Sequence, residues 1–339
     1  MSSKRENRQL KDGGFVSIVV TLIITLILSL IVLGFAQLAR REQRQALDRQ
    51  LGQQALYAAE SGVNDVRKLI SAGTLTSDIT DCNSASLPNR NLDSTVGDVA
   101  YTCVLVQQGL PTLEYGNIDT EKSTVFPITS SSGNFQSLTF GWHKEAGTNN
   151  FPLSTNDFVT KSVWDFGNYG AGVLRIDLIP ANLTNRADVT NKTFTVFAYP
   201  SSSGSDTTVY STGAANQGGV VAVKCDGAKL PKKCSLQINI LTDQTNKYFA
   251  RVKSIYTPSS LTVTGGLVGG GAANFSGTQV QVDSTGKAND VLKRIRVRIP
   301  VTNTTNDYPE FALDSGDAIC KKLSIVPTEA KLNGCPVPN

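Results

Sequence analysis

Along the chain the alternation of hydrophobic and polar positions changes its rhythm three times, and each rhythm predicts a different element. Residues 1–14, MSSKRENRQLKDGG, are polar, with Lys4, Arg5, Arg8 and Lys11 set against Glu6 and Asp12. From Phe15 to Ala39 (FVSIVVTLIITLILSLIVLGFAQLA) there is no formal charge. As a helix this run spans roughly 37 Å, more than the ~30 Å hydrocarbon core of a bilayer. It also exceeds the ~7–15 apolar residues of a cleaved secretory signal, so the pattern predicts a membrane-crossing helix. Next, Leu47, Leu51, Ala55, Ala58 and Ala59 and then Gly62, Val63, Val66, Leu69 and Ile70 recur at three- and four-residue steps. Arg44, Asp48, Gln53 and Asp65 take the other faces, which is the period of an amphipathic helix. Neither Pro nor a loop cluster interrupts residues 15–71. One continuous helix of about 57 residues and about 85 Å is predicted, apolar over 15–39, amphipathic over 40–73, and ending near Gly73.

From Thr74 onward Ser, Thr, Asn and Gly separate short β-branched alternations, the pattern of strands and turns. Strands are predicted at 99–107, 136–142, 172–179, 193–199, 218–224, 235–241, 247–256, 278–282 and 291–301. The stretch 200–219 is the most loop-like in the middle of the chain and marks a boundary between β-rich subdomains at 74–199 and 200–339. No repeat of fixed period occurs, which removes solenoids and propellers.

Composition narrows the function. Charged residues are 18% of the 339, below the roughly 25% of an average soluble domain, while apolar residues reach 40%, so the chain is neither a charged disordered protein nor a coiled coil. A net charge of +4 over this length is too dilute to imply a nucleic acid or an acidic substrate. The single histidine, His143, stands beside Trp142, reads as a surface or packing residue, and leaves most triads and His-based metal sites without their imidazoles. No enzyme, cofactor or metal is therefore expected. The six cysteines lack a CxxC pair and suit disulfides, which persist in oxidising compartments. Local pairing joins Cys82 to Cys103, Cys225 to Cys234 and Cys320 to Cys335. The flanks of the apolar run carry equal charge and leave the positive-inside rule silent. The cysteines then place the C-terminal portion outside the cytoplasm.

A short basic leader ending Gly13-Gly14, then Phe15, then an apolar helix that turns amphipathic, resembles a type IV prepilin. The run Ala58-Ala59-Glu60-Ser61-Gly62 resembles the AAExG element of the PilX-type minor pilins and of the related large minor pseudopilin of type II secretion. The resemblance covers residues 1 to about 72. It implies cleavage by a prepilin peptidase after Gly14 and N-methylation of Phe15. It further implies a single-pass precursor in the cytoplasmic membrane, an inner-membrane assembly platform, and major and other minor pilins as partners in a surface pilus. One position departs from the pattern: pilins usually carry Glu at the fifth mature position, and Val19 stands there. That Glu neutralises a neighbour's N-terminal amine in the filament core, where an unpaired charge is costly. A subunit with no neighbour beyond it has no amine to neutralise, so Val19 favours a tip or initiating subunit over the shaft.

Other features carry two readings each. Alternation in 291–301 puts Leu292, Arg294, Arg296 and Arg298 on one strand face, an arginine ladder that suits an anion or a DNA backbone. The plainer reading is a solvated face with cross-strand acidic partners. Gly265-Gly266-Leu267-Val268-Gly269-Gly270-Gly271 is too irregular for a nucleotide fingerprint and reads as a loop. Asp283 to Asp290, with Gly286 between, offers oxygen ligands for Ca²⁺ without EF-hand spacing. Sequons at Asn182, Asn191, Asn274 and Asn303 are expected by chance in so Asn- and Thr-rich a chain.

The expected fold class is α+β, pilin-like: a long N-terminal membrane-spanning and amphipathic helix packed on a mostly antiparallel β-rich extracytoplasmic portion. The expected function is a minor type IV pilin, a tip or initiating subunit with an adhesive role. The alternatives are a minor pseudopilin of a type II secretion system and a membrane-anchored surface binding protein that never polymerises.

Overall fold

The computed structural model describes residues 13–82, 91–93, 99–144, 148–152, 161–203, 208–211, 219–228, 232–242 and 244–301. The predicted helix is present as α1, Gly13–Ser71, 59 residues long, or about 88 Å at helical rise. It stops where Gly73 adopts φ +67°, a conformation that glycine takes without steric cost. The Thr74 amide donates to the Leu69 carbonyl and the Gly73 amide to that of Ile70, both at 3.0 Å. These two bonds form a Schellman cap that satisfies the last helical carbonyls.

Among the described residues, fourteen strands and two short helices follow in chain order. They are β1 Asn91–Asp93, β2 Val99–Gln107, β3 Leu113–Ile118, β4 Thr124–Thr129, β5 Phe135–His143, α2 Lys161–Gly167, β6 Val173–Pro180, α3 Arg186–Lys192 and β7 Phe194–Ser201. Then come β8 Thr208–Ser211, β9 Gly219–Lys224, β10 Cys234–Asn239, β11 Lys247–Ile255, β12 Ser259–Leu267, β13 Gln279–Ala288 and β14 Val291–Pro300. Three sheets result, with orders β1-β2-β13-β14, β3-β12-β5-β10-β8 and β4-β11-β6-β7-β9. The pairings are antiparallel except at two edges, where β8 runs parallel to β10 and β9 parallel to β7.

The described residues form two compact units. One takes α1 to Asn64, β2 to Val104, and the β13–β14 hairpin from Ser284 to Ile295; the other takes the remainder. Within the second, the two five-stranded sheets share one core. Strands β5, β10 and β12 supply Leu138, Phe140, Leu236, Ile238 and Val263, while β6, β7 and β11 supply Ile176, Val196 and Ala250, all fully buried. Among the described residues of this unit, one carboxylate is fully inaccessible. Asp177 of β6 is fully buried and faces Arg251 on one neighbouring strand and Thr195 on the other. Its carboxylate accepts from Arg251 Nε at 2.7 Å, Arg175 Nε at 3.2 Å and Thr195 Oγ1 at 2.8 Å. Buried charge is tolerated where it is paired and hydrogen-bonded on each oxygen.

Each of the nine predicted strands has a counterpart, and the differences have local causes. Strands β3 and β4 contain Gly116 and Pro127, residues that weaken a strand pattern. Both strands lie at sheet edges, where such residues are tolerated. The glycine run 265–271 is only partly a loop. Gly265, Gly266 and Leu267 complete β12, and a Cβ on Gly265 would lie 2.9 Å from the Phe135 ring, so packing requires the glycine. Gly269, Gly270 and Gly271 all have positive φ and make the turn. The boundary expected at residue 199 falls inside β7, and both five-stranded sheets draw strands from either side of it.

Cys225 and Cys234 form a disulfide at the end of β9 and the start of β10. Cys82 and Cys103 are each disulfide-bonded. Cys320 and Cys335, and the sequon at Asn303, lie outside the described residues.

Candidate functional site

The functional element is α1, and its two halves meet different surroundings. Every residue from 17 to 50 is exposed, including Ile18, Leu22, Leu26, Leu30, Leu33 and Phe35 at 55–67%. Hydroxyls within this stretch turn back onto their own helix. Thr21 donates to Ile18 O at 2.9 Å, Thr25 to Leu22 O at 2.9 Å and Ser29 to Thr25 O at 2.8 Å. Satisfied in this way, they present little polar surface to a hydrocarbon neighbour. Val19, the residue in place of the usual Glu, is 40% exposed among these apolar groups. Gly14 and Phe15 belong to the first turn of α1, and their side-chain positions lie outside the described set.

The second half is seated. Ala55, Ala58 and Ala59 are fully inaccessible, Gly62 is buried, and Val63 is 7% exposed. They lie against β2 and β13 at distances only small residues permit. A Cβ on Gly286 would lie 2.0 Å from the Ala55 carbonyl oxygen and 2.4 Å from the Ala59 amide nitrogen. A Cβ on Gly62 would lie 2.5 Å from Ser284 Oγ and 2.9 Å from Val104 Cγ2, with the Tyr101 ring at 3.2 Å. In the run Ala58-Ala59-Glu60-Ser61-Gly62, the two alanines and the glycine thus form the contact face, while Glu60 is exposed and Ser61 half-buried. The motif is a close helix–sheet seat, and Gly286 is its counterpart on the sheet. Periodicity brings out the helix side of this seat. Gly286 is masked in sequence because it follows a turn-like run of Asp, Ser and Thr.

This placement also bears on the oxygen-bearing side chains of 283–290. Asp283 sits in β13 and binds Arg296 Nε at 3.1 Å, whereas Asp290 is exposed in the hairpin turn after Ala288, where Asn289 has φ +54°. Seven residues of mostly extended chain separate them by roughly 20 Å, too far to share a cation. No cluster of metal-ligating side chains occurs among the described residues.

Arg296 and Arg298 of the ladder meet carboxylates. Besides Arg296 with Asp283, Arg298 Nη2 lies 3.0 Å from Glu114 Oε1, and its Nη1 donates to the Thr112 carbonyl. Arg294 is exposed. His143 is half-buried at the end of β5, and Trp142 beside it is fully buried, its indole N–H donating to Gly172 O at 2.8 Å. Burial raises the Tyr115 hydroxyl well above the ordinary tyrosine value; its ring stacks on Phe126 at 4.3 Å.

An exposed apolar half-helix continuous with a small-residue seat suits transfer between a bilayer and a bundle of like helices, because both environments bury the same face. Residues 13–64 match the family model described as PilX N-terminal. This N-terminal segment is similar to that of the PilX-type pilins. The match covers the membrane-crossing half of α1 and the seat up to Asn64. No curated protein and no solved structure matches the chain. The matched apolar helix supports a membrane-anchored protein related to the type IV pilus.

Proposed function

We propose that the chain is a minor pilin that is cleaved after Gly14, methylated at Phe15 and incorporated at the tip or initiating end of a type IV pilus. The observation that carries this reading is the match over residues 13–64, which covers a helix apolar to Ala39 and exposed from residue 17 to 50 among the described residues. Before assembly that surface is covered by lipid; on assembly it is covered by the helices of other subunits, and the helix exchanges one apolar neighbour for another. Val19 supports the end position, since a subunit lacking the charge that neutralises a neighbour's amine fits where there is no further neighbour. Adhesion is assigned to the β-rich portion, which lies outside the membrane.

N-terminal sequencing of the chain from cells, together with detection in sheared surface filaments, tests the proposal. A mature chain beginning at Phe15 and recovered at low stoichiometry with the filaments is expected. An intact leader, or cleavage near Ala36, would remove the pilin mechanism. A chain processed at Phe15 but absent from sheared filaments would move the assignment to a secretion pseudopilus. Restoring charge with Val19→Glu is expected to raise the proportion of the chain found along filament shafts.

A further inference from the structure

The outer face of the sheet β3-β12-β5-β10-β8 has an unusual composition. Register places Asn239 of β10 opposite Ser137 of β5, and Ser137 opposite Gly266 of β12. Two residues along, Gln237 lies opposite Thr139, and Thr139 opposite Thr264. Across β10, β5 and β12 these rows hold amides, hydroxyls and one glycine, and on the other side of β10 the register sets Val209 opposite Gln237 and Ser211 opposite Asn239. At their edge is a cleft of about 320 Å³, lined by Ser137, Gln237 and Asn239 together with Gln136, Gln244 and Leu241. That volume lies at the small end of the roughly 300–1,000 Å³ of small-molecule sites.

The amides are held in place. Gln237 Nε2 donates to Asn239 Oδ1 at 2.9 Å, and Gln244 Nε2 donates to the Ile240 carbonyl at 2.8 Å. An amide group carries two donor hydrogens and two acceptor lone pairs, so one bond leaves further capacity of both kinds. Leu241, 65% exposed, adds an apolar wall. We infer that this cleft binds a neutral saccharide. Each hydroxyl of a sugar is both donor and acceptor and therefore pairs with an amide in either sense, while the C–H face of the ring packs on Leu241. An anionic or cationic ligand would find no countercharge among the lining residues, and an apolar one would leave the amides desolvated without partners.

The inference gives a ligand class to the adhesive role proposed above and rests on that role for its setting, but the two fail separately. Processing at Phe15 and filament recovery test assembly; sugar binding tests the cleft. The experiment uses the full chain, purified in a zwitterionic detergent so that no sugar headgroup competes, on an array carrying neutral, sialylated and sulfated oligosaccharides. Retention of a neutral glycan is expected, unchanged between about 0.1 M and about 1 M salt because no ion pair is involved. Gln237→Ala combined with Asn239→Ala should weaken retention at least ten-fold. Thr264→Lys, a change of an exposed residue on the same face, should weaken it without altering the thermal unfolding midpoint. Retention of charged glycans only, of none, or equal retention by the double variant with its unfolding midpoint intact would each overturn the inference.

Discussion

Replacing Gly286 by Ala adds one methyl group at the seat of the helix, and its effect follows from the distances. The new Cβ would meet the Ala55 carbonyl oxygen at 2.0 Å and the Ala59 amide nitrogen at 2.4 Å. Both are backbone atoms in the middle of α1, so no side-chain rotation relieves the clash. Restoring ordinary contact requires the helix to retreat by roughly 1.5 Å, which opens a gap around Ala58, Gly62 and Val63 and forfeits much of their dispersion energy. Overpacking commonly costs about 1–3 kcal/mol, and rigid neighbours place this case near 3 kcal/mol. At about 1.4 kcal/mol per factor of ten, local opening should become roughly a hundred-fold more frequent. Hydrogen exchange of the full chain in micelles reads this directly in peptides spanning residues 55–64. Gly52→Ala is the control, since its Cβ would meet only Lys293 Cε at 3.6 Å. Exchange in the Gly286→Ala variant within about three-fold of the parent would refute the close-seat reasoning.

The control carries its own expectation: Gly52→Ala in a helix interior should stabilise the chain by about 0.5–1 kcal/mol, measured as a higher unfolding midpoint. Asp177→Ala removes the shared partner of Arg175 and Arg251, whose side chains are 26% and 20% exposed. Because solvent reaches both arginines, the expected loss is about 3 kcal/mol, at the lower end for a broken buried pair, read by chemical denaturation. Reducing the Cys225–Cys234 bond, which spans nine positions, should cost about 2.5 kcal/mol on the chain-entropy account, visible as a shift on adding reductant. Burial raises the Tyr115 hydroxyl, so the folded state holds its proton where the unfolded state has lost it. Stability from this group is complete below the unfolded value of about 10 and falls as pH rises above it, and Tyr115→Phe should flatten that alkaline decline.

The helix was legible in the sequence because a charge-free run and a three-to-four-residue period are local properties, and its end at Gly73 is a local backbone event. The strands β2, β5, β6, β7, β9, β10, β11 and β14, and the first half of β13, were legible for the same reason. The sequence did not reveal β3, β4 and β12, whose Gly and Pro residues are tolerated only because of their sheet positions or neighbours. Asp177 is likewise invisible as a core residue, since the arginine that answers it lies 74 residues away. Gly286 reads as part of a ligand-like loop until the sheet register shows which atoms it must admit. The amide cleft depends on pairings across three strands, information that no single segment carries.

The outward-facing stretch from residue 17 to 50 also bears on how many copies a cell can hold. Each large apolar side chain there is worth about 1.5–3 kcal/mol when fully covered, so a copy with neither lipid nor kin around it is prone to clump or be degraded. Abundance is then governed by the apolar surroundings available to this stretch rather than by synthesis alone, and overproduction should enlarge the insoluble fraction first.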